Sequence, residues 1–164
     1  TYFGEQEINW AEGEKTTGLI ISILIIQLIA ILGALASAKI SEKFGNIYTL
    51  IILNIMWAFL CFYGYFVESS NEFYMAAGLV GLVMGGIQAL SRSTFSKFLP
   101  ETDNTTSFFS FYDVAQKVSI VLGMILFGTI DQITGSMRNA ILFFTVFFAI
   151  GAFLLIRLDK KMKC

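Results

Sequence analysis

Five long apolar segments constrain the fold of this chain more than any other feature of its sequence. They cover residues 17–38, 47–67, 73–91, 107–130 and 139–156. A helix needs about 20 mostly apolar residues, within a range of roughly 17–25, to cross the hydrocarbon core of a bilayer. None of the segments alternates polar and apolar residues as a membrane barrel strand does. The sequence therefore predicts an all-α fold, a polytopic membrane helix bundle with five transmembrane helices, in one domain that covers residues 1–164.

The composition supports a membrane location and excludes several classes of function. Hydrophobic residues make up 56% of the chain and charged residues 14%, whereas about 25% of a soluble domain is charged. The chain has no histidine, and its two cysteines, Cys61 and Cys164, fit neither a disulfide framework nor a zinc site. We therefore predict that the chain contacts the lipid bilayer, has no catalytic or metal-binding residue and no cofactor, binds no nucleic acid, and is not an enzyme.

The distribution of basic residues predicts how the helices are oriented. One side of the membrane would collect eight of them: Lys39, Lys43, Arg92, Lys97, Arg157, Lys160, Lys161 and Lys163. The other side would collect only Lys15 and Arg138. Because Lys and Arg accumulate on the cytoplasmic side of membrane proteins, we expect residues 39–46, 92–106 and the C-terminus to be cytoplasmic. Residues 1–16, 68–72 and 131–138 would then lie outside.

Asp113 and Lys117 are the charged pair inside the fourth apolar segment. A charged side chain at the centre of a bilayer costs about 2.5–3.5 kcal/mol on insertion scales, so it is rarely placed there without a role. Residues four apart on a helix share a face, and we therefore expect the two side chains to face the bundle interior and to interact directly or through a shared partner. Two interpretations stay open: a site for substrate or ion, and an ion pair that only fixes helix packing.

The third apolar segment carries small and polar residues on one face. Gly81, Gly85, Gln88 and Arg92 follow one another at offsets of four, three and four residues. Small residues allow another helix to approach closely, so Gly81 and Gly85 are predicted to pack helices. Arg92 is either an anchor at the membrane interface or a gate residue that pairs with Asp113 or another carboxylate.

A polar cavity is the functional site that these positions predict. Its lining would be Gln88, Asp113, Gln116 and Lys117, which supply hydrogen-bond donors, acceptors and both charges. Transporters place solute and coupling-ion groups near this depth of the membrane. The alternative is a buried polar network that only fixes the register of the helices.

Two stretches resemble a known superfamily of transporters. Residues 33–45, which end in Glu42, Lys43 and Gly45, resemble the loop that joins the second and third helices of each half of a major-facilitator transporter. Asn46 and Ile47 stand where that loop usually has a basic pair. Residues 85–93, followed by 108–112, Lys117 and 134–138, resemble the vacuole-effluxer-like permeases of that superfamily.

The resemblance implies which helices of a transporter these segments form, what the protein does and what its partners are. The five segments would be helices eight to twelve, so the chain would be the C-terminal half of a permease whose six-helix N-terminal half is missing. It would move a small-molecule solute by alternating access, and the yeast relatives are associated with amino-acid efflux. The cytoplasmic loop would act in gating through Glu42, Lys43, Gly45 and Arg92. The expected location is the bacterial cytoplasmic membrane. The alternative from another class of protein is a membrane scaffold or assembly subunit that does not transport.

Overall fold

The computed structural model describes residues 2–11, 13–100 and 105–163, and its regular structure is helical. The helices are α1 (Tyr2–Gln6), α2 (Lys15–Phe44), α3 (Asn46–Phe66), α4 (Ser70–Phe98), α5 (Thr105–Thr134) and α6 (Met137–Lys163). Five of them, α2 to α6, are long and apolar enough to cross a membrane. The predicted all-α bundle with five membrane helices is confirmed.

The helices continue beyond the apolar segments, and this corrects the predicted loops. Helix α2 runs through Glu42 and Lys43 to Phe44, and the chain reverses at Gly45, whose φ is 89°. That backbone conformation is easy for glycine and strained for other residues. Arg92 likewise lies within α4, which ends at Phe98. A helix satisfies its own backbone polar groups, so it can pass through the membrane interface while its charged side chains reach water. Residues 101–104 of the predicted segment 92–106 lie outside the described part of the chain.

Helices α2 and α4 pack with their backbones in close approach. A Cβ atom added to Gly81 would lie 2.6 Å from the carbonyl oxygen of Ile26. One added to Gly85 would collide with the backbone of Ala30. The same holds for Gly33 of α2, which lies against the backbone of α4. The glycines predicted to pack helices therefore lie where two backbones meet, and dispersion contacts between the helices are dense there.

Helix α3 forms the apolar centre of the bundle with α4 and α6. Its buried Leu50 and Leu53 join Val83 and Leu90 of α4 in one cluster. On the α6 side, Trp57 stacks on a phenylalanine ring of α6 at a centroid distance of 5.3 Å. Helix α3 thus links α4 to α6.

Helix α5 is the least enclosed element of the bundle. None of its residues, 105–134, is buried. Its aromatic contacts are Phe127 with Phe144 of α6, at 6.1 Å between ring centroids, and two rings against Phe95 of α4. Most of its surface is therefore open to lipid or to further protein.

The loops group at two ends of the bundle. One end holds α1, the α3–α4 turn and the α5–α6 turn, and we call it the acidic end. The other holds the α2–α3 turn, the end of α4 and the beginning of α5, and we call it the basic end. Contacts join the members of each group, as in the hydrogen bond from the Asn9 amide to the Glu68 carbonyl at the acidic end. These groups match the segments predicted to share a side of the membrane, while the assignment of inside and outside stays a prediction.

Candidate functional site

The central charge pair of the candidate site joins two helices. An Arg92 guanidinium nitrogen donates to a carboxylate oxygen of Asp113 at 2.5 Å, and both side chains are about half exposed. The predicted direct ion pair of Asp113 with Lys117 is wrong, because none joins them among the described residues. An interaction of the two through a shared partner stays a prediction. A guanidinium is less strongly hydrated than an ammonium and gives directional hydrogen bonds, which favours Arg92 as the partner. The pairing of Arg92 with Asp113, one of the predicted alternatives, is observed, and the gating role of Arg92 stays a prediction.

Aromatic packing fixes α4 against α5 beside this pair. One turn toward the basic end, the Phe95 ring lies 5.8 Å from that of Phe109 and 4.9 Å from that of Tyr112. Such ring pairs contribute about 0.5–1.5 kcal/mol beyond the area that they bury. Together with the Arg92–Asp113 ion pair, these ring contacts align α4 and α5 in one register near the basic end.

This register determines the depth of the other predicted site residues. Helices α4 and α5 are antiparallel, so Gln88 and Lys117 each lie four residues, or roughly 6 Å, deeper than the Arg92–Asp113 pair. Gln88, Gln116 and Lys117 are all exposed. We call these five residues the α4–α5 polar face. The described helices do not enclose it, so a cavity lined by Gln88, Asp113, Gln116 and Lys117 stays a prediction.

The α2–α3 turn is attached to α4 by a residue that the sequence reasoning did not select. The side-chain nitrogen Nδ2 of Asn46 donates to the Thr94 hydroxyl at 3.2 Å, and the Lys97 ammonium donates to the side-chain oxygen Oδ1 of Asn46 at 3.0 Å. Asn46 also lines a pocket of about 370 Å³ with Gly45, Lys97 and Asp159. The signal was present, since Asn46 stands where the superfamily loop usually has a basic residue.

The predicted gating residues are arranged around this turn. Gly45 forms the reversal and lines the pocket. Glu42 and Lys43 are exposed on the last turn of α2, with the Lys43 ammonium 5.5 Å from the centre of the Phe44 ring. Arg92 lies deeper, on the α4–α5 polar face. The structure thus brings Gly45 to α4 and leaves Glu42 and Lys43 at the surface.

A second polar network, at the acidic end, was also missed from the sequence. Arg138 donates to the Glu7 carboxylate at 3.0 Å and to the Tyr65 carbonyl at 2.8 Å, and both charged side chains are about four-fifths buried. The Glu7 carboxylate also accepts from the Met137 amide at 3.2 Å. Only the signs of these charges were visible in the sequence, because their partners lie up to 131 positions apart. The network ties the segment before α2 to α3 and α6.

The described residues offer no site for a metal ion. Within residues 2–11, 13–100 and 105–163, no group of three acidic or cysteine side chains is placed to bind one. Cys61 is buried and free. What the arrangement offers is an exposed set of charges and amides on α4 and α5.

Comparison with known proteins identifies the family. The sequence matches the family described as "vacuole effluxer Atg22 like" over residues 1–163. The chain belongs to the Atg22-like vacuole effluxer family. It is also 32% identical over 143 residues to the "uncharacterized MFS-type transporter YxiO" of Bacillus subtilis, an alignment that covers 87% of this chain and 33% of that relative. The chain is therefore an integral membrane protein of an MFS-type transporter family, which is not a family of enzymes.

Fungal relatives extend this Atg22-like grouping. The autophagy-related protein 22 of Vanderwaltozyma polyspora is 34% identical over 164 residues, with 91% of this chain and 31% of the relative covered. That of Saccharomyces cerevisiae is 27% identical over 156 residues, with 86% and 29% covered. No solved structure matches the chain. The chain spans about a third of the length of the curated relatives it matches.

Proposed function

We propose that this chain forms the C-terminal half of a secondary active transporter that moves small solutes by alternating access. In this mechanism two bundles rock around a site near the middle of the membrane. Membership of an MFS-type effluxer family supports the proposal. The coverage of about a third of each relative is consistent with a chain that represents one part of a longer permease.

The observation that carries the proposal is the exposed α4–α5 polar face. Charged side chains in a membrane segment are costly against lipid, and they almost always face protein or a water-filled cavity. Here Lys117 is exposed on a helix without a buried residue. A second bundle placed over this face would turn it into one wall of a solute pathway, with Gln88, Asp113, Gln116 and Lys117 as lining residues.

The α2–α3 turn is the proposed cytoplasmic latch. The hydrogen bond from Lys97 to Asn46, at 3.0 Å, holds the turn against the end of α4, which is also the helix that carries Arg92. Opening toward the cytoplasm would require the pathway to widen at this end. In this proposal the solutes include amino acids, transport is efflux, the C-terminus is cytoplasmic, and a bacterial protein of this kind lies in the cytoplasmic membrane.

Counterflow in proteoliposomes tests the proposed function. We expect the complete permease, loaded inside with unlabelled amino acids, to accumulate an external mixture of labelled amino acids with saturable kinetics. This chain alone, reconstituted at the same density, is expected to give only the uptake of empty vesicles, because it supplies one wall of the pathway. Saturable uptake by the chain alone would contradict the two-half architecture. A folded complete permease without counterflow of any solute would favour a membrane scaffold.

A further inference from the structure

We propose that an apolar groove between α3 and α6, together with the basic residues beyond its end, binds one anionic phospholipid from the leaflet at the basic end of the bundle. An acyl chain would lie in the groove, and the phosphate would lie beside Arg157 and Lys160. The inference does not depend on which solute the protein moves, because it concerns the outer surface of α3 and α6. It follows from the lining of the groove, from its length and depth, and from the charges at its end.

The lining of the groove suits a hydrocarbon chain. The groove has a volume of about 600 Å³. Phe59, Phe62 and Phe153 line it and are more than half exposed, and the small side chains of Ala149 and Ala152 leave space between the rings. Among the described residues that line it, Thr145 alone is polar. An occupant would therefore bind by burying hydrocarbon and would find few hydrogen-bonding groups.

The length and depth of the groove fit one acyl chain. On α6 it extends from Thr145 to Ile156, a distance of roughly 16 Å along the helix. Half of the hydrocarbon core of a bilayer is about 15 Å thick. Ile156 is the last residue of the apolar segment 139–156, and the charged Arg157 follows it directly. The groove thus extends through the half of the membrane nearest the basic end, where the acyl chains of that leaflet lie.

Basic side chains lie where the phosphate of such a lipid would be. Ala149, Phe153, Ile156 and Lys160 follow one another at offsets of four, three and four residues, so Lys160 continues the groove face of α6 beyond its apolar part. Arg157 follows Phe153 by four residues on the same side. Both basic side chains are exposed, and neither forms an ion pair with another described residue. Long basic side chains at a helix end reach the membrane surface, where the phosphates lie.

The net charge at this end favours an anionic headgroup over a zwitterionic one. From Arg157 to Lys161, α6 has three basic residues and one acidic residue, Asp159, which gives a net charge of +2. Each basic residue near an anionic membrane surface strengthens binding by roughly fivefold. A zwitterionic headgroup would bring a further positive charge to a surface that is already positive. A headgroup with a net negative charge is therefore the better match.

Helix α3 contributes an interfacial aromatic residue at the same level. Tyr48 precedes Ile55 by seven residues, so it lies on the groove face of α3, and it is about half exposed. Tyr48 and Asp159 line the same pocket, which places the ends of the two helix faces side by side. Tyrosine is enriched at membrane interfaces because its ring is apolar and its hydroxyl is polar. Its hydroxyl can donate to a phosphate or ester oxygen of the bound lipid.

Photo-crosslinking in the complete permease tests the inference. The protein would be reconstituted in phosphatidylcholine vesicles with a trace of either phosphatidylglycerol or phosphatidylcholine that carries a photoreactive diazirine in one acyl chain. Mass spectrometry would identify the labelled peptides. We expect the phosphatidylglycerol probe to label the groove residues of α3 and α6 more strongly than the phosphatidylcholine probe, by roughly tenfold or more.

Variants at the two parts of the site provide matched comparisons. Arg157→Gln and Lys160→Gln should each lower labelling of the groove by the phosphatidylglycerol probe by roughly fivefold. Lys39→Gln, which removes an exposed charge from α2 at the same end, should leave it unchanged. Ala149→Trp, which fills the groove, should abolish labelling there by both probes. Val146→Trp, at an exposed position of α6 outside the groove lining, should label as wild type.

Three results would overturn the inference. Equal labelling of the groove by both probes would show ordinary boundary lipid without selection of its headgroup. Labelling by the phosphatidylglycerol probe that is spread evenly over the lipid-facing helices would exclude a site between α3 and α6. Wild-type labelling in Arg157→Gln and Lys160→Gln would exclude these side chains as phosphate ligands. If Ala149→Trp does not fold, the two glutamine variants still decide, because their side chains are exposed at the end of α6.

Discussion

Replacing Gly85 with alanine is expected to destabilise the bundle by about 1–3 kcal/mol, the cost typical of overpacking. The added methyl group would occupy space now filled by the backbone of Ala30 in α2. A backbone cannot move aside as a side chain does, so α2 and α4 would have to separate along their closest contact. We expect a clear fall in the thermal midpoint of the purified protein in detergent and a larger aggregated fraction in size-exclusion chromatography.

Gly64 of α3 provides the matched control. The same substitution there would place a methyl group 3.6 Å from the Ile141 side chain, an ordinary van der Waals distance. Alanine also favours a helix over glycine by roughly 1 kcal/mol in soluble hosts, so Gly64→Ala should be neutral or mildly stabilising. An equal loss of stability in both variants would show that the close approach of α2 and α4 is not the reason why Gly85→Ala destabilises the bundle.

Removing the charge of Arg138 should have the second large effect. Arg138→Gln would leave the Glu7 carboxylate buried beside the Met137 amide without its cation. Loss of one partner of a fully buried pair costs about 3–5 kcal/mol. Because both side chains keep about a fifth of their surface in water, we expect roughly 1–3 kcal/mol. Thermal unfolding followed by tryptophan fluorescence in a Trp57→Phe background would measure the loss, because Trp10, which packs against Phe73 at the same end, is then the remaining tryptophan.

Two further variants separate pairing from other effects of the substitution. Glu7→Gln combined with Arg138→Gln should be less destabilised than the sum of the single variants, since neither charge is then left unpaired. Lys15→Gln removes the partner of Glu5 at 3.7 Å, and both of those side chains are about half exposed. That change should cost less than about 1 kcal/mol, as is typical of exposed ion pairs. Additive losses in the double variant would mean that Glu7 and Arg138 do not stabilise each other.

The number of membrane helices could be predicted from the sequence, but their ends could not. Apolar length decides whether a segment crosses the bilayer, and that property is local. Helix ends depend on where the backbone can reverse, and α2 continues through Glu42 and Lys43 until Gly45 supplies a positive φ. Polarity suggested a loop there because charged residues are compatible both with loops and with helices that protrude into water.

The sequence offered the Arg92–Asp113 pair of the candidate site only as one of two alternatives for Arg92. The i, i+4 rule selected Lys117 for Asp113 because it considers one helix at a time. The actual partner, Arg92, is 21 positions away and reaches Asp113 only through the register of α4 and α5. The link from Glu7 to Arg138, whose residues lie 131 positions apart, was not predicted at all. Spacing along a helix cannot report contacts that tertiary packing creates.

Accessibility of the two surfaces to a water-soluble reagent tests the central claim most directly. The claim is that the α4–α5 polar face lines an aqueous pathway while the outer surface of α3 and α6 faces lipid. In the complete permease, with Cys61 and Cys164 replaced by alanine, single cysteines would be placed at Gln88 and Gln116. Controls would be cysteines at Phe59 and Phe153, apolar residues that are also exposed in this chain.

Membrane vesicles of both orientations would be treated with a charged maleimide, with and without amino acids. We predict labelling at Gln88→Cys and Gln116→Cys that amino acids reduce, and no labelling at Phe59→Cys or Phe153→Cys. All four side chains are exposed in this chain. The controls therefore separate exposure in the chain from contact with water, which we assign to the polar face and not to the outer surface of α3 and α6. Labelling at Phe59→Cys and Phe153→Cys, together with no labelling at Gln88→Cys and Gln116→Cys, would contradict the account. The polar face would then not line the pathway.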